Sequence, residues 1–242
     1  MQVSKAVCSL IFLLVTGCAS SQGFDRASME EALHVSPPPI PEGQSPENQD
    51  ARLSLPLRLG IFFADHSFPN RQSIRKVEWL TTDREQLLHQ LAPLRDEHIL
   101  GDTFVLMDAT LRGENILGIR RAGARYGADL VLIVDGAAAV DRYNNGYAWL
   151  YPTLIGAYLA PGTESAALVI VTGSLWETRS DWHAPNQTAE GLAKSIGSAV
   201  FTEDNRVIEQ AKKTATEVLT KRLIDQLHLI KEGLARAKSD LR

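Results

Sequence analysis

Apolar and polar positions along the chain alternate between two periods, and the change from one to the other marks the elements. Leu57 to Ala64 starts with apolar and polar residues in turn and ends wholly apolar, the pattern of a strand entering a buried sheet. Leu87, Leu88, Leu91 and Leu94 then recur at helical steps behind Thr82 and Glu85, which have the spacing of a capping box. Phe104 to Met107 reads as a short strand, and Glu114 to Tyr126 as a helix ending at Gly127. Leu130 to Tyr143 is a long strand followed by Asn144-Asn145-Gly146, a strong turn signal.

Ser165 to Thr178 is apolar but broken by Gly173 and Ser174, which predicts one strand or a hairpin returning across the sheet. From Glu203 to Ile230 the apolar set holds to steps of three and four, which predicts a long amphipathic helix. The order β-α-β-α-β, then antiparallel strands and a C-terminal helix, gives an α/β class with α+β as the alternative. The expected architecture is a mixed sheet with helices packed on it, in one arrangement all on the same face. A doubly wound parallel sheet is the competing form, and the long third strand with its turn argues against it.

The first seventeen residues change the picture. They hold one charge, Lys5, then an apolar run from Ala6 to Val15 of about 10 residues, where a membrane-spanning helix needs roughly 20. The run is therefore a targeting segment. Its end, Val15-Thr16-Gly17-Cys18, resembles the lipobox of bacterial lipoproteins, which implies cleavage before Cys18 and acylation of that residue, with palmitate among the expected acyl groups. Ala19 in place of Asp implies passage to the outer membrane, with the periplasmic face expected. Several acyl chains make a stable anchor, since each buried methylene contributes about 0.8 kcal/mol.

The chain has two Cys. Cys8 leaves with the signal and Cys18 is consumed by lipid, which excludes a Cys nucleophile, a redox pair and a Cys-ligated metal from the mature domain. Residues 18–55 shift to Ser, Pro, Glu, Gln and Asn, with Ser36 to Pro46 at the centre, and read as a flexible, disordered tether. A short helical turn near Ala27 to Val35 would matter little to it. Residues 56–235 have the length and composition of one globular domain, and 236–242 form a tail. The formal net charge of −4 becomes one unit more negative without Lys5, and a mildly acidic domain gives no support for binding nucleic acid or anionic lipid through a basic face.

Three blocks, Leu59 to Asp65, Tyr126 to Gly136 and Tyr151 to Thr163, resemble rhombotarget-type bacterial lipoproteins. More distantly they resemble the group that includes penicillin-binding-protein activator lipoproteins and the curli secretion lipoprotein. In the distant relatives the resemblance implies an α/β accessory domain that binds partner proteins without enzymatic activity. Val171-Thr172-Gly173 departs from the Asp those relatives often carry ahead of Thr-Gly. Rhombotarget substrates carry a Gly-Gly motif and a C-terminal apolar helix, and this chain ends in Ser239-Asp240-Leu241-Arg242. Any link to that sorting system is thus by association.

Catalytic constellations are weak. Ser73-Ile74-Arg75-Lys76 has Ser-x-x-Lys spacing, which works as a nucleophile and base only on a helix, and no Lys-Thr-Gly or Ser-Asp-Asn partner follows. Asp129, Asp135 and Asp141 are six apart on one strand face, hence about 20 Å between neighbours, too far for paired carboxylate chemistry. The six His show no metal-ligand spacing, and no phosphate-binding glycine loop occurs, so neither metal nor small-molecule cofactor is expected.

Two functions stand. The first is an accessory or assembly factor anchored to the outer membrane that binds an envelope protein or its own copies. The second is a hydrolase of cell-wall or surface polymers, using carboxylates that the fold brings together. The apolar stretch from Tyr147 to Pro161, interrupted by Pro152, Gly156 and Pro161, is the expected partner face, with Trp149, Tyr151 and Tyr158 as contact residues.

Overall fold

The computed structural model describes residues 21–33, 53–66, 68, 71, 73–107, 111, 115–151, 162–197 and 204–240. In chain order these form α1 (Arg26–Ala32), β1 (Leu57–Phe63), β2 (Arg75–Lys76), α2 (Thr81–Leu91), α3 (Pro93–Asp96), β3 (Leu100–Val105), α4 (Ile116–Arg125) and β4 (Leu130–Asn144). A 3₁₀ turn (Gly146–Leu150) leads on to β5 (Thr163–Glu177), β6 (Gln187–Gly197) and α5 (Asp204–Asp240). The sheet order is β3-β1-β4-β5-β6, with β2 attached to β4. β1 is parallel to β3 and β4, while β4, β5 and β6 run antiparallel. Among the described residues the fold is a six-stranded mixed α/β sheet with a long C-terminal helix.

Strand chemistry explains why both sheet faces are covered. On β4, Leu130, Leu132 and Val134 point to one side and Val131 and Ile133 to the other, and all five are buried. The first set packs with Leu87, Leu91 and Leu94 of α2 and α3 and with Val207, Ala211, Ala215, Leu219, Leu223 and Leu227 of α5. The second packs under Ile119 and Ala122 of α4, with Phe62 and Trp176. The helices are therefore divided between the faces, a correction to the arrangement on one side. A sheet apolar on both surfaces leaves no other stable solution.

Local details also correct the sequence reading. The Thr82 and Glu85 capping box is not used; Leu80 is the N-cap residue, and its N–H donates to the Asp83 carboxylate at 2.8 Å. Asn144-Asn145-Gly146 makes no tight hairpin: Asn145 caps the 3₁₀ turn and β5 begins only at Thr163. The short strand begins earlier than Phe104, at Leu100. Gly127 closes α4 with φ +74°, as its position predicts.

The largest difference lies near the N-terminus. Residues 21–33 fall within the expected flexible tether, yet they are docked on the sheet. Asp25 caps α1 by accepting from Ser28 N–H at 3.0 Å. Met29 and Leu33 are buried with Ile74, Ala137, Ala139, Leu168 and Ile170. Burying each contributes about 1.5–3 kcal/mol before the ordering entropy of the segment is subtracted. Residues 34–52, with the proline-rich stretch, lie outside the described residues. No helix among the described residues is long and apolar enough to cross a membrane.

Candidate functional site

Odd-numbered residues of β4 from Val131 to Asp141 share one face. Val131 and Ile133 lie under α4, and Ala137 and Ala139 lie under α1. Asp135 stands between these two patches, and its side chain is 4% exposed. A carboxylate in that position needs partners, and it has two: Gly136 N–H donates to one oxygen at 2.8 Å, and His66 Nδ1 lies 2.5 Å from the other. His66 follows the carboxyl end of β1, beside the centre of β4, the end of parallel strands where α/β folds commonly build their sites.

The hydrogen bond to Asp135 raises the His66 pKa above its ordinary 6.5, and the nearby Asp135 and Asp65 charges act in the same direction against partial burial. Asp65 itself accepts an ion pair from Lys76 Nζ at 3.0 Å, and Trp79 Nε1 donates to Ala64 O at 3.0 Å. The group can hold a proton in a fixed direction and exchange it with solvent through Nε2. Nucleophilic catalysis would need a hydroxyl about 3 Å from that nitrogen. Among the described residues Asp135 is the side chain hydrogen-bonded to His66.

A raised pKa gives stability that is fully present below pH 6.5 and is lost as pH rises through the folded-state value. We expect His66 to titrate above 6.5 by NMR in the parent, and Asp135→Asn to move its midpoint down. A parent midpoint at or below 6.5 would remove the pairing.

The other sequence candidates separate. Arg58 N–H donates to Asp129 at 2.9 Å, which makes Asp129 a cap on the start of β1. Asp141 accepts from Ser21 Oγ at 2.5 Å and Gly23 N–H at 3.0 Å on one oxygen and from Gln22 N–H at 3.5 Å on the other. Burial pushes its pKa up, but these donors outweigh burial and the net shift is downward. The carboxylates therefore act singly. Ser73 sits in a turn and Lys76 in extended backbone, so the helical geometry required for Ser-x-x-Lys chemistry is absent there. Among the described residues no group of three His, Cys, Asp or Glu side chains could hold a metal.

Cys18 and Tyr158 lie outside the described residues. Trp149 belongs to the 3₁₀ turn. Tyr151 is half-buried, and its hydroxyl bonds Thr163 Oγ1 at 2.8 Å, which ties the turn to the start of β5. Because Thr163 pairs with Gly197, Trp149 and Tyr151 are near the C-terminal end of β6 in the fold.

Sequence reasoning missed β6. It is an edge strand of eleven residues, and among the described residues no strand pairs with its outer edge. Ala189, Gly191 and Ala193 face α5, while Glu190, Leu192, Lys194 and Ile196 face the other way, with Leu192 50% and Ile196 62% exposed. An alternation of small and polar residues was the available signal. It is weak because the buried half of the pattern is Ala and Gly.

No family model matches the chain, and no curated protein matches it. Among solved structures it is similar to a dodecamer of a PelC variant from Paraburkholderia phytofirmans, at 14% identity over 67% of this chain and 85% of that one, with a TM-score of 0.30. It is also similar to a protein of Helicobacter pylori described as a neuraminyllactose-binding hemagglutinin homolog, at 14% identity over 83% and 98% of the two chains, TM-score 0.37. A third likeness is to a lipoprotein of Neisseria meningitidis, at 13% identity over 72% and 99%, TM-score 0.27.

Proposed function

We propose that this chain is a bacterial lipoprotein, held by acyl groups on Cys18 at the periplasmic face of the outer membrane. There it acts as a non-enzymatic accessory factor that binds an envelope protein by strand addition. The observation that carries the binding half is the outer edge of β6. Edge strands are usually short, charged or covered, because their unpaired N–H and C=O groups recruit further strands. This one runs eleven residues without proline, and Glu190 on its open face is engaged by Arg26 at 3.0 Å. An extended partner segment would take main-chain hydrogen bonds from the edge and specificity from contacts beside Leu192. Trp149 and Tyr151, near the end of β6, are proposed as secondary contacts for the same partner, and so is Tyr158, which lies outside the described residues.

The anchor half rests on the Val15 to Cys18 motif. Cys18→Ser should abolish acyl mass and detergent partitioning, since serine forms no thioether. A parent protein without acyl mass would refute the anchor. For the binding half, a photo-crosslinking residue at Leu192 in living cells should give a defined adduct, and the same residue at Tyr126 none. An adduct with a second copy of this chain would assign the edge to self-association. Equal yields from both positions would exclude β6 as the contact.

A further inference from the structure

The docked N-terminal segment places the start of the described chain at one end of the sheet. Ser21, Gln22 and Gly23 close on Asp141, three residues before β4 ends at Asn144. Thr163 opposite Asn144, and Gly197 opposite Thr163, belong to the same end. Three further contacts keep the segment there: the burial of Met29 and Leu33, the Arg26 to Glu190 ion pair at 3.0 Å, and Arg71, which pairs with Glu31 at 3.0 Å and donates to Ser28 O. Ser21 is three residue steps from Cys18, and a fully extended chain spans at most about 3.6 Å per step, roughly 11 Å in all.

We propose that the domain rests directly on the lipid surface, with the Asn144, Thr163 and Gly197 end of its sheet toward the bilayer, a reading that depends on acylation of Cys18. The proline-rich residues 34–52 come after the docked helix in the chain. In the chain they therefore lie outside the short stretch that joins Cys18 to the docked segment. The side chains exposed at the anchor end suit the headgroup region: Tyr147 is 60% and Ile196 62% exposed, an aromatic with a polar tip and an aliphatic. The opposite end of the sheet, where β4 begins at Leu130 opposite Glu177, lies about 45 Å away along a fifteen-residue strand. Tyr126, 55% exposed, marks that far end.

The mature chain has no thiol besides Cys18, so a single cysteine at Tyr147 or at Tyr126 takes a fluorophore uniquely. The acylated full-length protein is reconstituted in phosphatidylethanolamine and phosphatidylglycerol vesicles carrying a nitroxide on the headgroup. A label on Y147C should lose most of its fluorescence, and a label on Y126C should keep nearly all of it. Adding Asp141→Ala and Met29→Asp to the Y147C protein, to release the docked segment, should restore most of the lost signal while acyl mass stays unchanged. Equal quenching at both positions in a protein that carries acyl mass would overturn the orientation and leave the anchor intact. Absence of acyl mass would overturn the anchor and the orientation with it.

Discussion

Gly191→Ala is expected to lower the unfolding midpoint of this protein more than any surface substitution. A Cβ on Gly191 would stand 2.0 Å from Ala211 O and 2.7 Å from Ala215 N, both backbone atoms of α5. Backbone in a helix cannot turn aside as a side chain does, so the whole of α5 must lift from β6. Val207, Leu219, Leu223 and Leu227 would lose contact with the sheet as it does. Overpacking of this kind costs typically 1–3 kcal/mol, and the rigidity of the obstacle puts this case at about 3 kcal/mol or more. For a domain of this size that is a fall on the order of 10 °C in Tm. Gly233→Ala is the control: nothing lies within 4 Å of its Cβ, and alanine in a helix is favoured over glycine by about 1 kcal/mol, so stability should hold or rise. A Gly191→Ala midpoint within a degree of the parent would mean that α5 does not press on β6.

The second large effect concerns Lys212, whose side chain is 1% exposed. Its ammonium donates to Asp83 at 2.7 Å and to Glu78 O at 2.8 Å, and pairs with Glu209 at 2.7 Å. Asp83 also accepts the Leu80 N–H, so it caps α2 and neutralises a charge from α5 at once. Asp83→Ala removes both roles and leaves a buried cation facing the more exposed Glu209. The expected cost is about 3–4 kcal/mol, combining a broken buried pair with a lost cap. Lys212→Met should cost far less, because a linear apolar chain fills the same space and removes the need for a counter-ion. The double variant should then be more stable than Asp83→Ala alone. Denaturant melts of the three variants decide the matter: if Lys212→Met is as damaging as Asp83→Ala, the ammonium contributes net stability.

Particular residues show which parts of this structure could be read from the chain. Leu57 to Ala64, Leu130 to Tyr143 and the helical steps from Val207 to Ile230 announce themselves because their buried sides are large and apolar. β6 does not, since its buried side is Ala189, Gly191 and Ala193, and Gly191 lies against the backbone of α5, where a larger side chain has no room. The docking of Met29 and Leu33 was hidden for a different reason. Two apolar residues among polar neighbours carry no periodic signal over seven residues of helix, and their burial depends on a sheet formed much later in the sequence. His66 and Asp135 are likewise far apart in the chain, and only the register of β1 against β4 brings them together. Pairing by topology of this sort has no local spacing rule.

The position of α5 has a consequence for how the chain acquires its structure. One wall of the main core consists of Val207, Ala211, Ala215, Leu219, Leu223 and Leu227, and Lys212 reaches back 129 residues to Asp83. Until these residues are available, β5 and β6 lack the helix that covers their inner faces, and β1 and β4 have only Leu87, Leu91 and Leu94 of α2 and α3. A chain still being synthesised therefore stays open almost to its last helix. Contacts at such separation are slow to form, since the loop entropy precedes any gain from packing. Late closure would keep the polypeptide threadable through a translocation channel, which suits the export signal expected from residues 1–17.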